Sequence, residues 1–254
     1  MDCPKCGKKI PDGNDYCSYC GKKIKKSIPH NKIILFLIII LILIAISFVF
    51  ISNSKNTISV ETKELGSLDY GNVVREGPYG NTSSNVTIAY VVGHHPRENE
   101  THNVFLNQFS NNKDLKYCYY IYKINATKGI DDYGESRMNG QSLAKEYVLP
   151  DAKSMNYSLV IDVHSNGGNW DENQFVYSPV NGSSGELLAH QLLKNCTFST
   201  YYYPPNPTSH SYLTEPLNNV GIPAFYWEEY DQNTPEVMAK HLDALIKTVD
   251  NLKF

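Results

Sequence analysis

The chain has 254 residues, a formal net charge of −3 and 41% hydrophobic residues, but these averages hide segments of very different composition. Of the 23 lysines and arginines, eight precede residue 52, as do three of the 26 acidic residues, so the remainder of the chain has a net charge of −8. This acidic balance excludes a basic nucleic-acid-binding surface in the larger, C-terminal part, and we expect no nucleic-acid partner.

Residues 1–26 contain the same short motif twice, Cys3-Pro-Lys-Cys6-Gly and Cys17-Ser-Tyr-Cys20-Gly. In each motif the glycine lets the chain turn so that both thiolates face one ion, and two such turns complete a tetrahedral four-cysteine zinc site. Disulfides are the alternative, but a reducing cytoplasm disfavours them and so short a segment has no core without a metal. The segment resembles the small zinc-ribbon module found at the start of many prokaryotic membrane proteins, and its partner is unknown.

An uncharged apolar run follows, and we interpret residues 30–52 as a transmembrane helix. Residues 33–51 contain no charge, and nineteen residues at helical rise can span the hydrocarbon core of a bilayer. Lysines cluster before the run, which predicts a cytoplasmic zinc ribbon, a linker at 53–59 and a C-terminal domain outside the cell. Seven glycosylation sequons, all after the run, agree with export. A buried core helix is the alternative.

Residues 60–254 alternate strand patterns with helix patterns, which predicts an α/β domain. Strands are expected at residues 116–124, 158–163 and 222–227, and helices at 102–109 and 185–193. A last helix should begin at Pro235 with Thr234 as its N-cap. Cys118 and Cys196 either form one disulfide or are buried thiols, and the sequence favours neither.

The stretch from Val86 to Glu98 predicts a metal site. A continuously apolar strand ends at Gly93, and the carboxyl ends of strands are where α/β sheets bind ligands. His95 and Glu98 lie three residues apart, so a helical turn would aim both at one ion. His94 would then point elsewhere, and we interpret it, like His102, as a surface or supporting group.

Two further strands end in similar side chains. The second ends at His164, with Asp162 two residues earlier on the same side of the strand, where its carboxylate could support a ligand. The third ends at Glu228 and Glu229, and the spacing from Pro223 favours Glu228. Three ligands, His95, Glu98 and His164, together with a separate carboxylate, are the groups that a zinc hydrolase needs.

These residues resemble the zinc carboxypeptidase superfamily, including its succinylglutamate desuccinylase and aspartoacylase branch. The signature G-x-H-x-x-E matches Gly93-His94-His95-Pro96-Arg97-Glu98, followed by strands ending in His164 and Glu228. The resemblance implies a mixed, mostly parallel sheet flanked by helices. It also implies a catalytic zinc held by His95, Glu98 and His164, so that the whole chain would carry two zinc ions.

The resemblance also assigns roles outside the metal ligands. Arg137 matches the arginine that polarises the scissile carbonyl, and Glu228 matches the general base and acid. The family then has D-L-N-R, whose Asn-Arg pair holds a substrate carboxylate, where this chain has Ala144 and Lys145. Lys145 and Tyr212, in the region of the family's tyrosine loop, are the candidate substrate-binding residues.

The expected function is therefore a membrane-anchored zinc hydrolase of amide bonds, acting on peptides outside the cell. Two alternatives remain open. One is an N-acyl amino acid deacylase, and the other is a metal-binding sensor or binding module of the same fold without catalysis. The loss of the Asn-Arg pair favours the sensor, whereas Glu228 and Arg137 favour an enzyme.

Overall fold

The computed structural model describes residues 1–24, 30–53 and 59–254, and within the helix at 30–53 it describes side chains from residue 33 to residue 44. The chain divides into two compact units, residues 1–57 and residues 58–254. Each unit is described by itself below.

The first unit begins with two matching turns that carry the cysteines. In each turn the N–H of the first cysteine donates to the carbonyl five residues later, at 3.0 Å for Cys3 and 2.9 Å for Cys17. Gly7 and Gly21 follow the second cysteine of each turn with φ of +68° and +71°, a conformation that glycine adopts without strain. The repeat in the sequence is therefore a repeat in the backbone.

Helix α1 spans His30–Asn53, and its side chains from residue 33 to residue 44 are apolar and exposed. The transmembrane span predicted at 30–52 is not confirmed, because no helix among the described residues is long and apolar enough to cross a membrane. The lysines at 25 and 26, and most of the predicted linker at 53–59, lie outside the described residues.

The second unit is built around one mixed sheet. Its strands are β1 (Glu61–Leu68), β2 (Gly71–Gly80), β3 (Thr87–Val92), β4 (Cys118–Ala126), β5 (Leu159–Asn166), β6 (Phe175–Tyr177), β7 (Thr200–Tyr201) and β8 (Ala224–Tyr230). They lie in the order β1-β2-β4-β3-β5-β8-β6-β7. The four central strands β4, β3, β5 and β8 run parallel. β2 is antiparallel to both of its neighbours, whereas β6 is antiparallel to β8 and parallel to β7. The predicted mixed α/β sheet is confirmed.

Helices cover both faces of this sheet. They are α2 (Asn99–Asn111), α3 (Tyr133–Leu143), which continues as a π-helical turn over Ala144–Val148, α4 (Leu149–Met155), α5 (Ser184–Leu193), α6 (Thr214–Asn219) and α7 (Pro235–Val249). Helix α7 begins as predicted, because the Thr234 side chain accepts a hydrogen bond from the N–H of Val237.

The alternation of side chains along β3 shows how the two faces are filled. Tyr90 and Val92 are buried in the cluster that includes residues of α2, α5 and α7. Ala89 and Val91 are buried in a second cluster with residues of α3, α4 and α6. A strand covered on both faces needs apolar residues at every position, which explains the continuous apolar run in the sequence.

Gly93 ends β3 and sets the direction of the chain that follows. Its φ is +85°, and a Cβ at this position would overlap the carbonyl oxygen of Ile124. Only glycine fits, so the sharp turn that leads His94 and His95 out of the sheet depends on it.

Cys118 and Cys196 are both free, buried thiols. Cys118 begins β4, while the Cys196 thiol lies 3.4 Å from the hydroxyl of Thr248. Of the two possibilities left open by the sequence, the structure therefore has buried thiols rather than a disulfide.

A candidate metal centre at the carboxyl edge of the sheet

The candidate site lies where β3, β5 and β8 end. These three strands are parallel neighbours, and His164 on β5 is in register with Glu228 on β8. The turn after β3 adds His95 and Glu98 at the same edge. Side chains separated by up to 133 positions in the sequence are thus neighbours because parallel strands place their carboxyl ends together.

Glu98 lies between the two histidines predicted as its fellow metal ligands. Its Oε1 is 2.7 Å from Nδ1 of His95, and its Oε2 is 3.0 Å from Nδ1 of His164. A tetrahedral zinc ion with bonds of about 2.0–2.2 Å keeps its ligand atoms about 3.4 Å apart, so small shifts would admit one ion between these groups. The backbone N–H of Ser165 donates to Glu98 Oε2 at 3.1 Å and helps to fix this carboxylate.

The charge states of His95 and Glu98 suit metal binding, whereas His164 must release a proton to bind a metal. Burial opposes the protonation of His164, but the carboxylates of Asp162 and Glu98 raise its pKa well above the usual value. Burial lowers the pKa of His95 to about 3 and outweighs the opposing attraction of Glu98, so His95 is neutral near pH 7. Burial opposes the ionisation of Glu98, but His95 and His164 hold its pKa well below the usual range. A neutral imidazole and an ionised carboxylate are the forms that zinc binds. The donor set therefore fits the metal.

A short 3₁₀ turn, Pro96–Glu98, gives the His95–Glu98 pair its geometry. The N–H of Glu98 donates to the carbonyl of His95 at 3.1 Å, which closes the turn. In a 3₁₀ turn the side chains at positions i and i+3 lie on the same side. The spacing argument from the sequence thus predicted their common direction correctly.

Helix α3 supplies two further side chains around His95. Arg137 places one guanidinium nitrogen 3.0 Å from His95 Nδ1 and 3.7 Å from Glu98 Oε1. The amide nitrogen of the buried Gln141 lies 3.3 Å from His95 Nε2. With this amide turned over, its oxygen would accept the ring N–H and leave Nδ1 for the metal. Gly140 allows this approach, because a Cβ there would overlap the carbonyl oxygen of His94. Sequence reasoning found Arg137 but not Gln141.

Asp162 is fully buried behind His164 and is shared between two histidines. Its Oδ1 is 3.2 Å from His164 Nε2, and its Oδ2 is 2.6 Å from His94 Nδ1. Burial opposes the ionisation of Asp162, but the two imidazoles outweigh it and lower the pKa. Asp162 thus lies where the sequence placed it, beside a predicted ligand.

Two histidines expected to be surface or supporting groups are both buried. His94 has no exposed surface and contacts Asp162. His102 on α2 places its Nε2 2.9 Å from the carbonyl oxygen of Val163. Neither is a surface residue, and their contacts agree with the supporting role.

A cleft of about 370 Å³ opens over these groups. The predicted metal ligands His95 and Glu98 line it, as do the predicted catalytic residues Arg137 and Glu228. The other walls come from several segments. The end of β5 and the residues after it contribute Ser165, Asn166, Gly167, Asn169 and Trp170, and the loop before His210 contributes Pro204, Asn206, Pro207, Thr208 and Ser209. Asp231, directly after β8, and Arg97, Tyr133 and Tyr177 complete the lining. Thr208 contacts the guanidinium of Arg137 at 3.3 Å.

Glu228 and Glu229 differ in their surroundings. Burial, together with the nearby charge of Glu98, raises the pKa of Glu228 to about 8 against the lowering effect of His164. Glu229 has no exposed surface and does not line the cleft. The structure therefore brings Glu228, the residue favoured by the spacing from Pro223, to the candidate site.

The candidate substrate-binding residues are not brought to this cleft. Ala144 is fully buried in the core, and neither Lys145 nor Tyr212 is among the residues that line the cleft. The ammonium of Lys145 lies 6.0 Å from the ring centre of Tyr212 instead, and the Tyr212 hydroxyl lies 3.5 Å from the sulfur of Met138. The positions matching the family's Asn-Arg pair thus offer no carboxylate grip in the described cleft.

The four N-terminal cysteines form a second candidate metal centre. The Sγ atoms of Cys3 and Cys20 are 3.6 Å apart, and those of Cys6 and Cys17 are 3.8 Å apart. Zinc–sulfur bonds of about 2.3 Å in a tetrahedron require sulfur atoms about 3.8 Å apart. Backbone N–H groups of Lys5 and Cys6 lower the pKa of Cys3 to about 6, which favours its thiolate. These cysteines fit a structural zinc ion.

Comparison with known families and curated proteins identifies the N-terminal segment only. Residues 3–24 match the family model described as a zinc-ribbon domain, so the predicted ribbon is confirmed. No curated protein matches the chain.

Solved structures similar to this chain are named as metallopeptidases and carboxypeptidases. A protein provisionally named carboxypeptidase A from Shewanella denitrificans OS-217 is 14% identical, with 75% of this chain and 64% of that chain covered and a TM-score of 0.51. A metallo-carboxypeptidase from Pseudomonas aeruginosa, in complex with (2-guanidinoethylmercapto)succinic acid, is 13% identical, with 77% and 65% covered and a TM-score of 0.48.

A third structure, a provisionally named metallopeptidase from Shewanella denitrificans OS217, is 10% identical, with 79% of this chain and 87% of that chain covered and a TM-score of 0.47. The likeness to the Shewanella carboxypeptidase shows a common fold, whereas identities this low transfer no activity. This chain spans less than two thirds of the length of either carboxypeptidase.

Proposed function

We propose that residues 58–254 form a zinc-dependent hydrolase of amide bonds, with peptides as its substrates. One observation carries the proposal: the three ligands His95, Glu98 and His164 converge, and two of them line one cleft with an arginine and a separate carboxylate. A binding protein would need the ligands but not Arg137 and Glu228. The set matches what an amide hydrolase requires.

Zinc, when bound, supplies a Lewis acid that polarises the scissile carbonyl and lowers the pKa of water. Glu228 then has the proton-transfer role. Its carboxylate accepts the proton of the attacking water and returns it to the leaving nitrogen, so that the amine departs neutral. The raised pKa, about 8, lets one group act as base and then as acid near neutral pH.

Arg137 stabilises the negative charge that develops on the carbonyl oxygen. Its guanidinium is three-quarters buried, lines the cleft and contacts Thr208. Zinc at His95 Nδ1 would replace the contact that the guanidinium makes with that nitrogen and would leave its N–H groups for the substrate oxygen. Donors fixed before the reaction cost no reorganisation when the charge appears, which makes such groups effective. Gln141 contributes indirectly by orienting the ring of His95.

Non-catalytic binding is the second candidate, and one observation favours it. Neither Ala144 nor Lys145 faces the described cleft, so the grip on a substrate carboxylate implied by the family resemblance is missing.

An N-acyl amino acid deacylase would also require such a grip for the leaving amino acid. Internal peptide bonds, which present no free carboxylate, are therefore the substrates that this cleft suits best.

Attachment to a membrane and action outside the cell belong to the same proposal. Their support comes from the sequence, in which residues 33–51 contain no charge and lysines precede them. Protease added to intact cells should then cleave the C-terminal unit and spare the ribbon. Protection of the C-terminal unit would reverse this topology.

The hydrolase proposal is tested by incubating the purified full chain with a peptide library and identifying the products. We expect internal fragments from the parent protein and none from the Glu228→Gln variant. Release of single C-terminal residues would indicate an exopeptidase instead. Tight binding of peptides without any cleavage would replace the hydrolase with the binding protein.

A further inference from the structure

His94 is the buried group at this site to which no role has been assigned so far. Its ring has no exposed surface and lies 5.3 Å from the ring of His95 and 5.3 Å from that of His164. Nδ1 is 2.6 Å from Asp162 Oδ2, while Nε2 has no hydrogen-bond partner among the described residues. The single polar contact of His94 is therefore made to the residue that supports His164.

The three residues form a chain of contacts that ends at a predicted zinc ligand. His94 Nδ1–H donates to Asp162 Oδ2, and the other oxygen, Oδ1, lies 3.2 Å from His164 Nε2. The opposite nitrogen of His164, Nδ1, faces Glu98 at 3.0 Å. Each oxygen of Asp162 thus lies near a different imidazole, but only the contact with His94 is a hydrogen bond, because Asp162 Oδ1 and His164 Nε2 have no hydrogen-bond partner among the described residues. A small rotation of the His164 ring would bring its Nε2–H into line with Oδ1.

We propose that His94 is a positioning residue, which orients Asp162 so that His164 presents Nδ1 to the zinc ion. The inference rests on the proposed function, because it assumes that His164 is a ligand. A carboxylate that accepts the Nε2–H of a histidine fixes both the tautomer and the ring orientation. Asp162 can do this reliably only if its own rotation is fixed, and His94 holds its second oxygen.

Oδ1 of Asp162 already has no hydrogen-bond partner among the described residues, so removing His94 would leave both oxygens of a fully buried carboxylate without one. Such an oxygen is costly to bury, so Asp162 would rotate or draw in water and would no longer hold His164 in one orientation. A weaker and less well-ordered metal site is the expected consequence.

A second metal ion held by His94, Asp162 and His164 is the competing interpretation, because these three groups also converge. The 2.6 Å contact between His94 and Asp162 does not decide between the two interpretations, because His95 and Glu98 lie equally close, at 2.7 Å, in the proposed zinc site. All three side chains are buried, so such an ion would have no open coordination position. The number of zinc ions per chain distinguishes the two interpretations.

The test compares His94→Asn with His94→Gln in the purified full chain. The amide nitrogen of asparagine can occupy the position of Nδ1 and donate to Asp162, whereas that of glutamine reaches the position of Nε2. Both side chains are polar, and neither is so much smaller than histidine that it leaves a large cavity. His94→Leu is added as the variant without any donor.

Zinc affinity is measured by competition with a chelator, and the site is examined by Co²⁺ substitution. Co²⁺ bound to nitrogen and oxygen lacks the thiolate charge-transfer bands of the ribbon, so the two sites can be followed separately. We expect the non-ribbon zinc to bind about 10- to 100-fold more weakly in His94→Gln and His94→Leu. His94→Asn should retain the parent affinity and Co²⁺ spectrum.

His241→Leu is the matched control. It breaks another imidazole–carboxylate contact, 2.8 Å from His241 Nδ1 to Glu229 Oε1, whose carboxylate touches none of the predicted ligands. It should destabilise the fold without weakening zinc binding. Equal affinity in all three His94 variants, or equal weakening in His241→Leu, would overturn the positioning role.

A third zinc ion per parent chain would replace the positioning role with the second metal site. These outcomes do not depend on catalysis. A parent chain that binds zinc at the ribbon alone would contradict the proposed function. If the parent chain binds both zinc ions but cleaves nothing, the zinc affinities of the His94 variants still test the positioning role.

Discussion

Glu228 and Glu229 are consecutive residues of β8, yet only Glu228 reaches the cleft. Successive side chains on a strand point to opposite faces, so the second carboxylate enters the core. There its oxygens accept hydrogen bonds from the side chains of Gln174, Trp227, Asn233 and His241. A fully satisfied carboxylate has no lone pair left for chemistry, whereas Glu228 is poised for proton transfer.

Replacing Glu228 and replacing Glu229 should therefore have different effects on activity and stability. Glu228→Gln should keep both zinc ions while kcat falls by roughly 10²- to 10⁴-fold, the range of general acid–base groups. Glu229→Gln should lower the unfolding temperature instead, because it disrupts a buried hydrogen-bond network. Zinc content, kcat and thermal unfolding distinguish them. A larger loss of kcat in Glu229→Gln than in Glu228→Gln would mean that Glu229, not Glu228, is the catalytic residue.

Arg137 can be tested against a matched arginine in the same cleft. Arg97 and Arg137 both lie over the ring of Tyr133, at 5.9 Å and 5.2 Å, but only Arg137 contacts His95. Arg137→Ala should cost about 2.7–4 kcal/mol of transition-state stabilisation, the range of oxyanion donors, without loss of zinc. Arg97→Ala should change kcat less. Similar losses in both variants would indicate a general charge effect rather than a specific donor.

The raised pKa of Glu228 predicts a pH dependence of stability. An ordinary glutamate has a pKa of 4.5, whereas in the folded protein that of Glu228 is about 8. Between these values the folded state binds more protons than the unfolded state, so this group's contribution to stability is present at low pH and is lost as pH rises through 8. Glutamine does not titrate.

We therefore expect Glu228→Gln, with zinc removed, to gain unfolding temperature relative to the parent as pH rises from 5 to 8. Glu186→Gln, a change at a carboxylate that lies outside the cleft, is the control. An unfolding-temperature difference for Glu228→Gln that is constant across this range would show that Glu228 is ionised throughout.

The two metal centres should bind zinc independently. Cys17→Ser removes one of four thiolates and should reduce the zinc content from two ions per chain to one, without affecting amide cleavage. His164→Ala should remove the other ion and leave the ribbon loaded. Cys118→Ala, at a buried cysteine outside the cluster, should keep both ions. Loss of both ions in either ligand variant would show that the centres are coupled.

The main features of the site could be predicted because they depend on local patterns. An apolar strand that ends at Gly93 gives the position of His95, and the spacing of His95 and Glu98 gives their common direction. The same reasoning located His164 and Glu228 at neighbouring strand ends. The central strands and the capped start of α7 follow from equally local signals.

Gln141 and the burial of His94 could not be predicted, because their contacts depend on how distant segments pack. Gln141 reaches His95 only because Gly140 lets α3 approach the chain after β3. His94 meets Asp162 across 68 positions of sequence. Lys145 was predicted to bind the substrate, because it aligns with the arginine of the family's Asn-Arg pair. In the structure it lies in the π-helical turn, and its side chain is exposed.

The most direct test of a metal-dependent hydrolase is a zinc titration of metal-free full-length protein, with cleavage of an internal amide bond followed at each step. Ribbon zinc binds first if its four thiolates are the stronger site, and cleavage should then appear in proportion to the second equivalent. His164→Ala should bind one equivalent and remain inactive. Cleavage by the metal-free protein, or cleavage that persists in His164→Ala, would contradict catalysis at this centre.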